Sequence, residues 1–495
     1  MITENLSTLK IHKLTQAQYD RELANGTLDD NALYLTPDSS ILDEEGTFYY
    51  DNLTQAFTDV TNGTEEYAVG KSNTNVAKVT THFDGTKIIT VLSNTSASIA
   101  CYSPFILDLN GKTVTLTDSY LTLYNGGQVK NGSLSASGSG ASPTIIKAYY
   151  DTVFDNVNFD ATFSATGTLT GLLVNSGANV TLNDCTFEIE NTTKITNAIE
   201  NNGTLNINNS TIKGISSTAG QARGILSKVG KVTIKDSYIY TDAAYGQSTA
   251  YLNVAAGTEA TLHNSTFFAD ASTNSNELSP DQYGRAIYNK GTIYADGITV
   301  VGTCYGWSDF AGAITYAQDS TIKSCGHGYY NHGTAYFVDC IFKDEDYDTT
   351  LGSRTEGEFT YATDSRQGRY APIYVGDAND TTKCDLHLDG CTIDSGLVNE
   401  AIVVHEANGV THNVYLSNCE IIKSTSGNAI RLVNTTTFAY IGVGGNITTG
   451  MTGNPAQMVF TNELYRKKTS DSVLNFKDFE ALKNYMAQAI LGGEW

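Results

Sequence analysis

The alternation of apolar and polar residues predicts many short strands that recur along most of the chain. The segment Gly284–Asp296, GRAIYNKGTIYAD, contains a small residue, an apolar residue, a turn at glycine and an alternating strand that ends on Asp. The segments 196–209, 223–236 and 326–339 follow the same order. Because one copy is too short to enclose its own apolar side, successive copies must stack and share a core. The pattern therefore predicts a solenoid.

A column of aligned, mostly small residues measures the length of one repeat. Its members are Cys185, Ser210, Ser237, Ser265, Gly297, Ser320, Cys340, Cys391 and Cys419. Their steps of 25, 27, 28, 32, 23, 20, 51 and 28 residues suit a coil of three short strands and three turns. Leucine-rich repeats would need a leucine consensus, and propeller blades usually need about 40–50 residues each. We therefore predict an all-β fold, a parallel β-helix.

The chain divides into three predicted segments. Residues 1–40 form a small α/β segment, with strands at its two ends and a helix between them. Residues 41–465 form the β-helix, and the step of 51 residues marks an insertion near 343–383 that could include a less regular coil. Residues 466–495 form a cap or assembly segment, in which an apolar stripe predicts a short helix from Asn475 to Ile490.

Residues 48–135 have the pattern expected at the opening of the solenoid. Residues 50–57 predict a short helix that covers the first coil, whose core and strand edges would otherwise be exposed. The first strands are predicted at 88–92 and 105–114. Within the second of these, the run LDLNGK is similar to entry segments of pectate-lyase-like proteins, and this resemblance implies a right-handed parallel β-helix.

Two short motifs near the start resemble a known group of virion proteins. The motifs are KLTQAQY at 13–19 and NALYLTPD at 31–38. They resemble the N-terminal piece of tail fibre and baseplate-associated proteins in phages and prophages of Gram-positive gut bacteria. The resemblance implies that residues 1–40 attach to other tail or baseplate proteins, and that the chain is assembled in the host cytoplasm and located in the virion tail. Similarity to tailspikes implies a homotrimer, whereas the alternative for residues 1–40 is an ordinary capping subdomain.

Charge and composition limit the classes of binding partner that the chain is expected to have. The formal net charge of −23 disfavours nucleic acid and anionic membrane surfaces. No apolar run approaches the length of a membrane span, so no membrane insertion is expected. Met1–Asn5 lacks a basic start and an apolar core, so we expect no signal peptide, and the eight cysteines are then reduced thiols. Four of them share a column with serine and lack paired short spacings, which indicates core packing; we expect neither a metal nor a cofactor.

A second column contains the candidate binding residues. It consists of Asn197, Arg223, Thr249, Arg285, Gly312, His327, Glu400 and Gly427 or Asn428. Strand alternation leaves two placements: a bend turns the column outward, or the column is buried; its charges favour the outward placement. An exposed strip with Arg285 and His327 could bind a sugar chain. Aromatic rings that could stack on the sugars are Trp307, Tyr305, Tyr361 and Tyr370. The alternative is a solvated polar ladder without a site.

Cleavage of a glycan would need two carboxylates at a defined separation. Candidates near the insertion are Asp344, Asp346, Glu356, Glu358 and Glu400. A charged loop is more often simply solvated, and no motif supports a lyase that uses Arg285 and calcium. The sequence therefore predicts a phage tail fibre or tailspike that binds a host-surface glycan. Its alternatives are a polysaccharide depolymerase, either a glycoside hydrolase or a lyase, and a bacterial surface adhesin.

Overall fold

The structure is a computed structural model and describes most of the chain between Lys10 and Phe476. The described residues are 10–13, 24–25, 32–35, 47–63, 76–82, 85–217, 220–243, 247–270, 284–302, 305–324, 327–344, 353–356, 359–362, 371–376, 381–395, 400–406, 410, 412–423, 428–434, 438–444, 446–451, 454–459, 463–468 and 473–476. Among them, strands of successive coils pair in parallel and in register into three long sheets. The chain is an all-β protein that forms a right-handed parallel β-helix, as predicted.

Each coil contributes one short strand to each sheet. Sheet 1 contains β10 (Thr144–Ala148), β12 (Thr168–Val174), β15 (Ile195–Asn201), β18 (Ala222–Ser227), β21 (Ser248–Asn253), β24 (Gly284–Asn289), β27 (Tyr305–Asp309), β30 (His327–Asn331), β35 (Ile373–Val375), β38 (Glu400–Glu406) and β41 (Asn428–Asn434). Sheet 2 contains β5 (Lys87–Val91), β7 (Phe105–Asp108), β13 (Asn179–Asn183), β16 (Thr204–Asn208), β19 (Lys231–Lys235), β22 (Glu259–His263), β25 (Thr292–Asp296), β28 (Ile314–Gln318), β31 (Thr334–Val338), β36 (Asp385–Asp389), β39 (Asn413–Ser417) and β42 (Phe438–Gly444). Sheet 3 contains β14 (Thr186–Asn191), β17 (Thr211–Ser216), β20 (Tyr238–Ala243), β23 (Thr266–Asp270), β26 (Thr299–Gly302), β29 (Thr321–Ser324), β32 (Ile341–Asp344), β37 (Thr392–Asp394), β40 (Glu420–Lys423) and β43 (Asn446–Met451).

Four long strands in the first coils bend around a corner and belong to two sheets. From sheet 3 to sheet 1 run β6 (Thr95–Cys101) and β8 (Thr113–Leu123), and from sheet 2 to sheet 3 run β9 (Gly127–Gly140) and β11 (Thr152–Ala165). Apolar residues on the inward faces of all three sheets pack into one continuous core from Phe48 to Ile430. A single repeat is too short to bury its own apolar residues, and in the stacked solenoid each coil covers those of the next coil.

The corner between sheets 2 and 3 explains why Asn and Asp recur in the repeats. Residues there have φ between 43° and 59°: Asn110, Asn131, Asn156, Asp184, Asn209, Asp236, Asn264, Asp319, Asp339 and Asn418. Asn and Asp tolerate this left-handed conformation better than other residues with a side chain, and Gly297 and Gly390 replace them in two coils. The residue after each of these corner residues belongs to the column of small residues. Gly297 is itself a corner residue, so the column member of its coil is Ile298, which donates its N–H to the Ser320 hydroxyl.

The entrance of the solenoid has a helical cap, as predicted, but the helix begins three residues later than expected, because Tyr50 belongs to a strand. Helix α1 spans Leu53–Asn62, and Asn52 caps it by accepting the N–H of Gln55. Leu53, Ala56, Phe57 and Val60 are buried against the first coil. Before and after α1, β3 (Phe48–Tyr50), β4 (Ala77–Thr81) and β5 pair antiparallel. Further upstream, the predicted strands are confirmed as β1 (Lys10–Lys13) and β2 (Ala32–Leu35), which pair in parallel, whereas the helix predicted at 15–24 lies almost entirely outside the described residues.

The far end of the solenoid differs from the prediction. After β43 the chain reverses through β44 (Asn454–Val459), β45 (Glu463–Lys468) and β46 (Val473–Phe476). These strands pair antiparallel with β43, β42 and β41, so one reversed coil covers the last edge of each sheet. The helix predicted to start at Asn475 is wrong at that position, because Asn475 is paired within β46. The rest of that predicted helix lies outside the described residues.

The insertion near 343–383 includes part of a regular coil. Its last strand, β35, belongs to sheet 1 between β30 and β38. Two further strands, β33 (Ser353–Glu356) and β34 (Phe359–Ala362), form a separate antiparallel pair. Asp344 is the last residue of β32, so the insertion leaves the solenoid where sheet 3 turns into sheet 1.

Candidate functional site

The predicted binding column lies on the outer side of sheet 1. In register order it contains Asn197, Arg223, Thr249, Arg285, Tyr305, His327, Ala371, Glu400 and Asn428. Tyr305 replaces Gly312, which lies instead in the turn after sheet 1. Strand pairing skips the next residue, which is usually glycine or alanine; at Gly224 an added Cβ would lie 2.6 Å from the carbonyl oxygen of Ala250. This bend turns the column away from the core, but the expected exposed strip is wrong, because Asn197, Thr249, Tyr305, His327 and Glu400 are buried.

The structure brings Arg285 and His327 together around one ring. The guanidinium carbon of Arg285 lies 4.9 Å from the ring centroid of Tyr305, and the His327 ring lies 5.3 Å from it. Tyr305 and His327 are each only 6% exposed, and Glu400 in the same column is also buried. Burial lowers the pKa of His327 to about 3, and its Nδ1 accepts the N–H of Ala371. This cluster is therefore largely covered.

The expectation that Trp307 presents a face to a ligand is wrong. The bend lies at Gly306, between Tyr305 and Trp307. Trp307 therefore occupies the inward column after the bend, and its ring is fully buried in the core. Its indole N–H donates to Asp309 at 2.8 Å, and the Tyr329 hydroxyl donates to the same carboxylate at 2.7 Å. Burial raises the pKa of Asp309. Trp307 is thus part of a buried hydrogen-bonded group that holds two coils together.

The remaining predicted residues fall in or beside the insertion. Asp346, Glu358 and Tyr370 lie outside the described residues. For Asp344, Glu356 and Tyr361 the structure describes the backbone position only: Asp344 ends β32, and Glu356 and Tyr361 lie in the β33–β34 pair. Their proposed roles stay predictions.

The outer face of sheet 2 carries an aromatic ladder that the sequence analysis missed. Five rings occupy one register column on successive strands: Tyr294, Tyr316, Tyr336, His387 and Tyr415. Neighbouring ring centroids are 5.4, 5.2, 4.5 and 4.4 Å apart, and their planes differ by 7° to 18°. The first three side chains are 45%, 42% and 36% exposed, so they form a continuous aromatic surface in contact with water. We call these five residues the tyrosine ladder.

A groove runs beside the first three rings of the tyrosine ladder. One wall is Tyr294, Tyr316 and Tyr336, and the other is the next outward column, His263, Asp296, Gln318 and Val338. The groove has a volume of about 580 Å³ and crosses four coils. Gln318 donates to the Asp296 carboxylate at 3.1 Å, and His263 lies 3.5 Å from it. Aromatic rings opposite fixed hydrogen-bonding groups are what a sugar-binding site requires.

Carboxylates dominate the charge on this face. In the described residues of sheet 2 from β25 to β39 and of its corner with sheet 3, the acidic side chains are Asp296, Asp319, Asp339, Asp385 and Asp389. Two lysines lie just before strands of this part, Lys290 before β25 and Lys383 before β36, and Lys383 lies 3.3 Å from Asp385. Burial lowers the pKa of His387, which favours a neutral ring in the ladder.

A pair of carboxylates on sheet 3 was also missed. Asp242 and Asp270 are register partners on β20 and β23, and adjacent strands stand roughly 4.8 Å apart. Burial raises the pKa of Asp242. Burial and, after it, the charges of both carboxylates raise the pKa of Tyr240. Asp270 is only 3% exposed, so this pair is less accessible than the ladder.

In the part of the chain that the structure describes, no three His, Cys, Asp or Glu side chains are grouped as metal ligands. The thiols at 185, 340, 391 and 419 are buried and point into the core corner. Over the same described ranges, no helix has both the length and the apolar character needed to cross a membrane.

Comparison with known proteins adds no identity to the fold. No protein-family model matches the chain, and no curated protein matches its sequence. The class of protein is therefore defined by the structure alone: a parallel β-helix with an exposed aromatic groove on one sheet.

Proposed function

We propose that this protein binds a surface polysaccharide of a bacterial host through the groove beside the tyrosine ladder. The observation that supports this is three exposed, aligned tyrosines opposite Asp296 and Gln318. These three side chains are 36% to 45% exposed, and aromatic surface of this kind packs against the C–H groups of sugars. The polar wall supplies acceptors and donors for sugar hydroxyls.

The setting that we propose for this binding is the tail of a phage or prophage particle. The support is the resemblance of residues 13–19 and 31–38 to tail fibre and baseplate-associated proteins. In this proposal residues 1–40 attach to tail or baseplate proteins, and three copies assemble around one axis. A homotrimer raises avidity for weak sugar contacts. The mass in solution tests the trimer, and a clean monomer at micromolar concentration would contradict it; detection of the chain in purified particles distinguishes a virion protein from a bacterial surface adhesin.

Binding to isolated wall polysaccharides of Gram-positive gut bacteria tests the site. The full chain should bind at least one such polysaccharide, and Tyr316→Ala should weaken that binding about tenfold. The matched control is Tyr102→Ala, because Tyr102 is also exposed and stacks on Tyr124 at 4.5 Å, but lies at the other end of the solenoid. Equal losses in the two variants, or no binding by the parent chain, would refute the proposed site.

A second candidate function is cleavage of a polysaccharide at a site on sheet 3, separate from the groove. The observation that favours it is the Asp242–Asp270 pair, because retaining glycosidases place two carboxylates about 5 Å apart and need one of them protonated. Release of reducing ends from a bound polysaccharide would support this function. The release should stop in Asp242→Asn and continue in Asp236→Asn, where the exposed corner accepts either residue. Release that survives Asp242→Asn would rule out this pair.

A further inference from the structure

We infer that the ligand of the groove is an uncharged polysaccharide whose chain lies along the axis of the β-helix, in contact with several rings of the tyrosine ladder. This inference rests on the proposed function and adds the charge class and the direction of the ligand. It depends on two independent features of the described residues: the distribution of charge on sheet 2 and the course of the groove across its strands.

The charge of the face disfavours anionic polymers. The groove itself contains Asp296, and the corner beside it carries Asp319 and Asp339. Further along the ladder, Asp385 and Asp389 occupy the two outward columns beside His387. Lys383 lies 3.3 Å from Asp385, so these two charges largely offset each other, and the net negative charge comes from the other carboxylates. A uronate, phosphate or sulfate group would approach a cluster of like charges here, which costs binding free energy. Sugars that carry only hydroxyl or acetamido groups meet no such repulsion.

The course of the groove gives the direction of the chain. Its walls come from β22, β25, β28 and β31, one strand from each of four successive coils. Three steps of roughly 4.8 Å make the groove about 14 Å long, and His387 and Tyr415 continue the ladder by two further coils. An extended linear chain that follows this direction meets a new ring at every coil. A chain that crosses the sheet would contact only one or two rings.

The ladder also repeats at a nearly constant distance. Ring centroids are separated by 5.4 and 5.2 Å within the groove and by 4.5 and 4.4 Å beyond it. Regular spacing suits a polymer with a short, regular repeat better than a branched or compact ligand. Each added sugar can therefore form the same contact with the next ring, and affinity should grow with chain length until the ladder is filled.

The experiment uses wall polysaccharide from Gram-positive gut bacteria, separated by anion exchange into an uncharged pool and an anionic pool. Both pools are titrated against the full chain, Tyr316→Ala and Tyr102→Ala. We expect binding in the uncharged pool that falls about tenfold in Tyr316→Ala, stays unchanged in Tyr102→Ala, and varies little between low and high salt. Size-fractionated oligosaccharides from that pool should gain affinity at least tenfold between two and five sugar units.

The outcomes separate this inference from the proposed function. Binding that depends on Tyr316 but occurs in the anionic pool would overturn the uncharged class and leave the glycan-binding function standing. Affinity that stops rising at two sugar units would overturn the axial direction alone. Absence of Tyr316-dependent binding in both pools would overturn the proposed function and the inference with it. As a positive test, Gln318→Lys should raise binding of the anionic pool and lower that of the uncharged pool.

Discussion

Sheet 2 has two halves that share one continuous pattern of strand pairing but have very different outer surfaces. From β13 to β22 its central outward column is Thr181, Asn206, Thr233 and Thr261, and lysines stand beside it at 231 and 235. From β25 to β39 the same column is the tyrosine ladder. The register does not change at the boundary, where Thr261 pairs with Tyr294. In a solenoid the outward positions are thus free to change chemistry, because the core constrains only the inward ones.

The inward positions of the two halves also differ, but under a constraint of volume. On sheet 1 the inward column passes from Ile199 and Ile225 to larger residues such as Trp307 and Tyr329. On sheet 2 the inward column passes from Leu262 to Ala295 and Ala317, and returns to Phe337 in the next coil. Because interiors are close-packed, the small Ala317 suits the coil that contains the large Trp307. The size of the inward residues therefore changes from coil to coil, while all of them stay buried.

The largest expected effect is on the core of the ladder half. Trp307→Ala removes a fully buried ring and leaves Asp309 without one of its donors, so the free energy of unfolding should fall by about 3–5 kcal/mol. Denaturation by urea measures it. Tyr316→Ala, two-fifths exposed on the outside, should lose less than about 1 kcal/mol. Similar losses in the two variants would contradict the distinction between inward and outward columns.

The next largest effect is on glycan binding, in a variant whose ladder half carries the threonines of the other half. Replacing Tyr294, Tyr316 and Tyr336 together by Thr should weaken glycan binding about 1,000-fold, if each ring contributes as much as Tyr316, about 1.4 kcal/mol. The fold should be retained, because Thr occupies the same column at 181, 233 and 261 and suits strands. Binding isotherms and circular dichroism measure the two results. In the opposite direction, Thr261→Tyr should lengthen the ladder and raise affinity about threefold; unchanged binding in both variants would show that the ladder is not the site.

A smaller effect concerns pH and the outer side of sheet 1. The folded pKa of His327, about 3, lies below its unfolded value of 6.5, so only the unfolded state takes up a proton as pH falls through 6.5. The stabilisation from keeping this ring neutral is full above pH 6.5, and about 2 kcal/mol of it is lost by pH 5. His327→Gln should remove this dependence between pH 7.5 and 5, whereas the exposed His263→Gln should keep it. Parallel stability profiles of His327→Gln and the parent chain would refute the assignment.

The smallest effect compares the serine and cysteine members of one column. Ser237 accepts the N–H of Ser210 at 3.1 Å and donates to the carbonyl of Lys235 at 2.6 Å, whereas Cys340 donates its thiol to Val338 in the same way. Ser237→Ala should reduce the free energy of unfolding by about 1 kcal/mol, because two buried hydrogen bonds lose a partner. Ser237→Cys should cost less. A larger loss for cysteine than for alanine in urea denaturation would contradict the equivalence of the two residues.

Much of the architecture could be read from local patterns. The repeat steps, the alternating strands and the recurrent Asn or Asp reflect constraints within one coil, and the corner conformation at Asp184 or Asn209 is such a constraint. The end of the chain at Asn475 could not be read in this way. A helical pattern there competes with unpaired edges of the last coil, and only the tertiary structure shows that β46 pairs with β41. Pairing with β41 of the neighbouring coil therefore determines that Asn475 is in a strand and not in a helix.

The candidate site was likewise predictable only in part from local sequence patterns. A sequence signal for the tyrosine ladder existed, since Tyr294, Tyr316 and Tyr336 each lie two residues into the strand that follows a turn. The charges in the column of Arg285 gave a stronger signal, and strand alternation alone places Trp307 on the surface, although a bend of one residue turns its ring inward. By itself the sequence determined the fold, because stacking of short apolar repeats has few solutions. Which side chains share a face was decided only by the register between coils, because residues 20 to 50 positions apart become neighbours there.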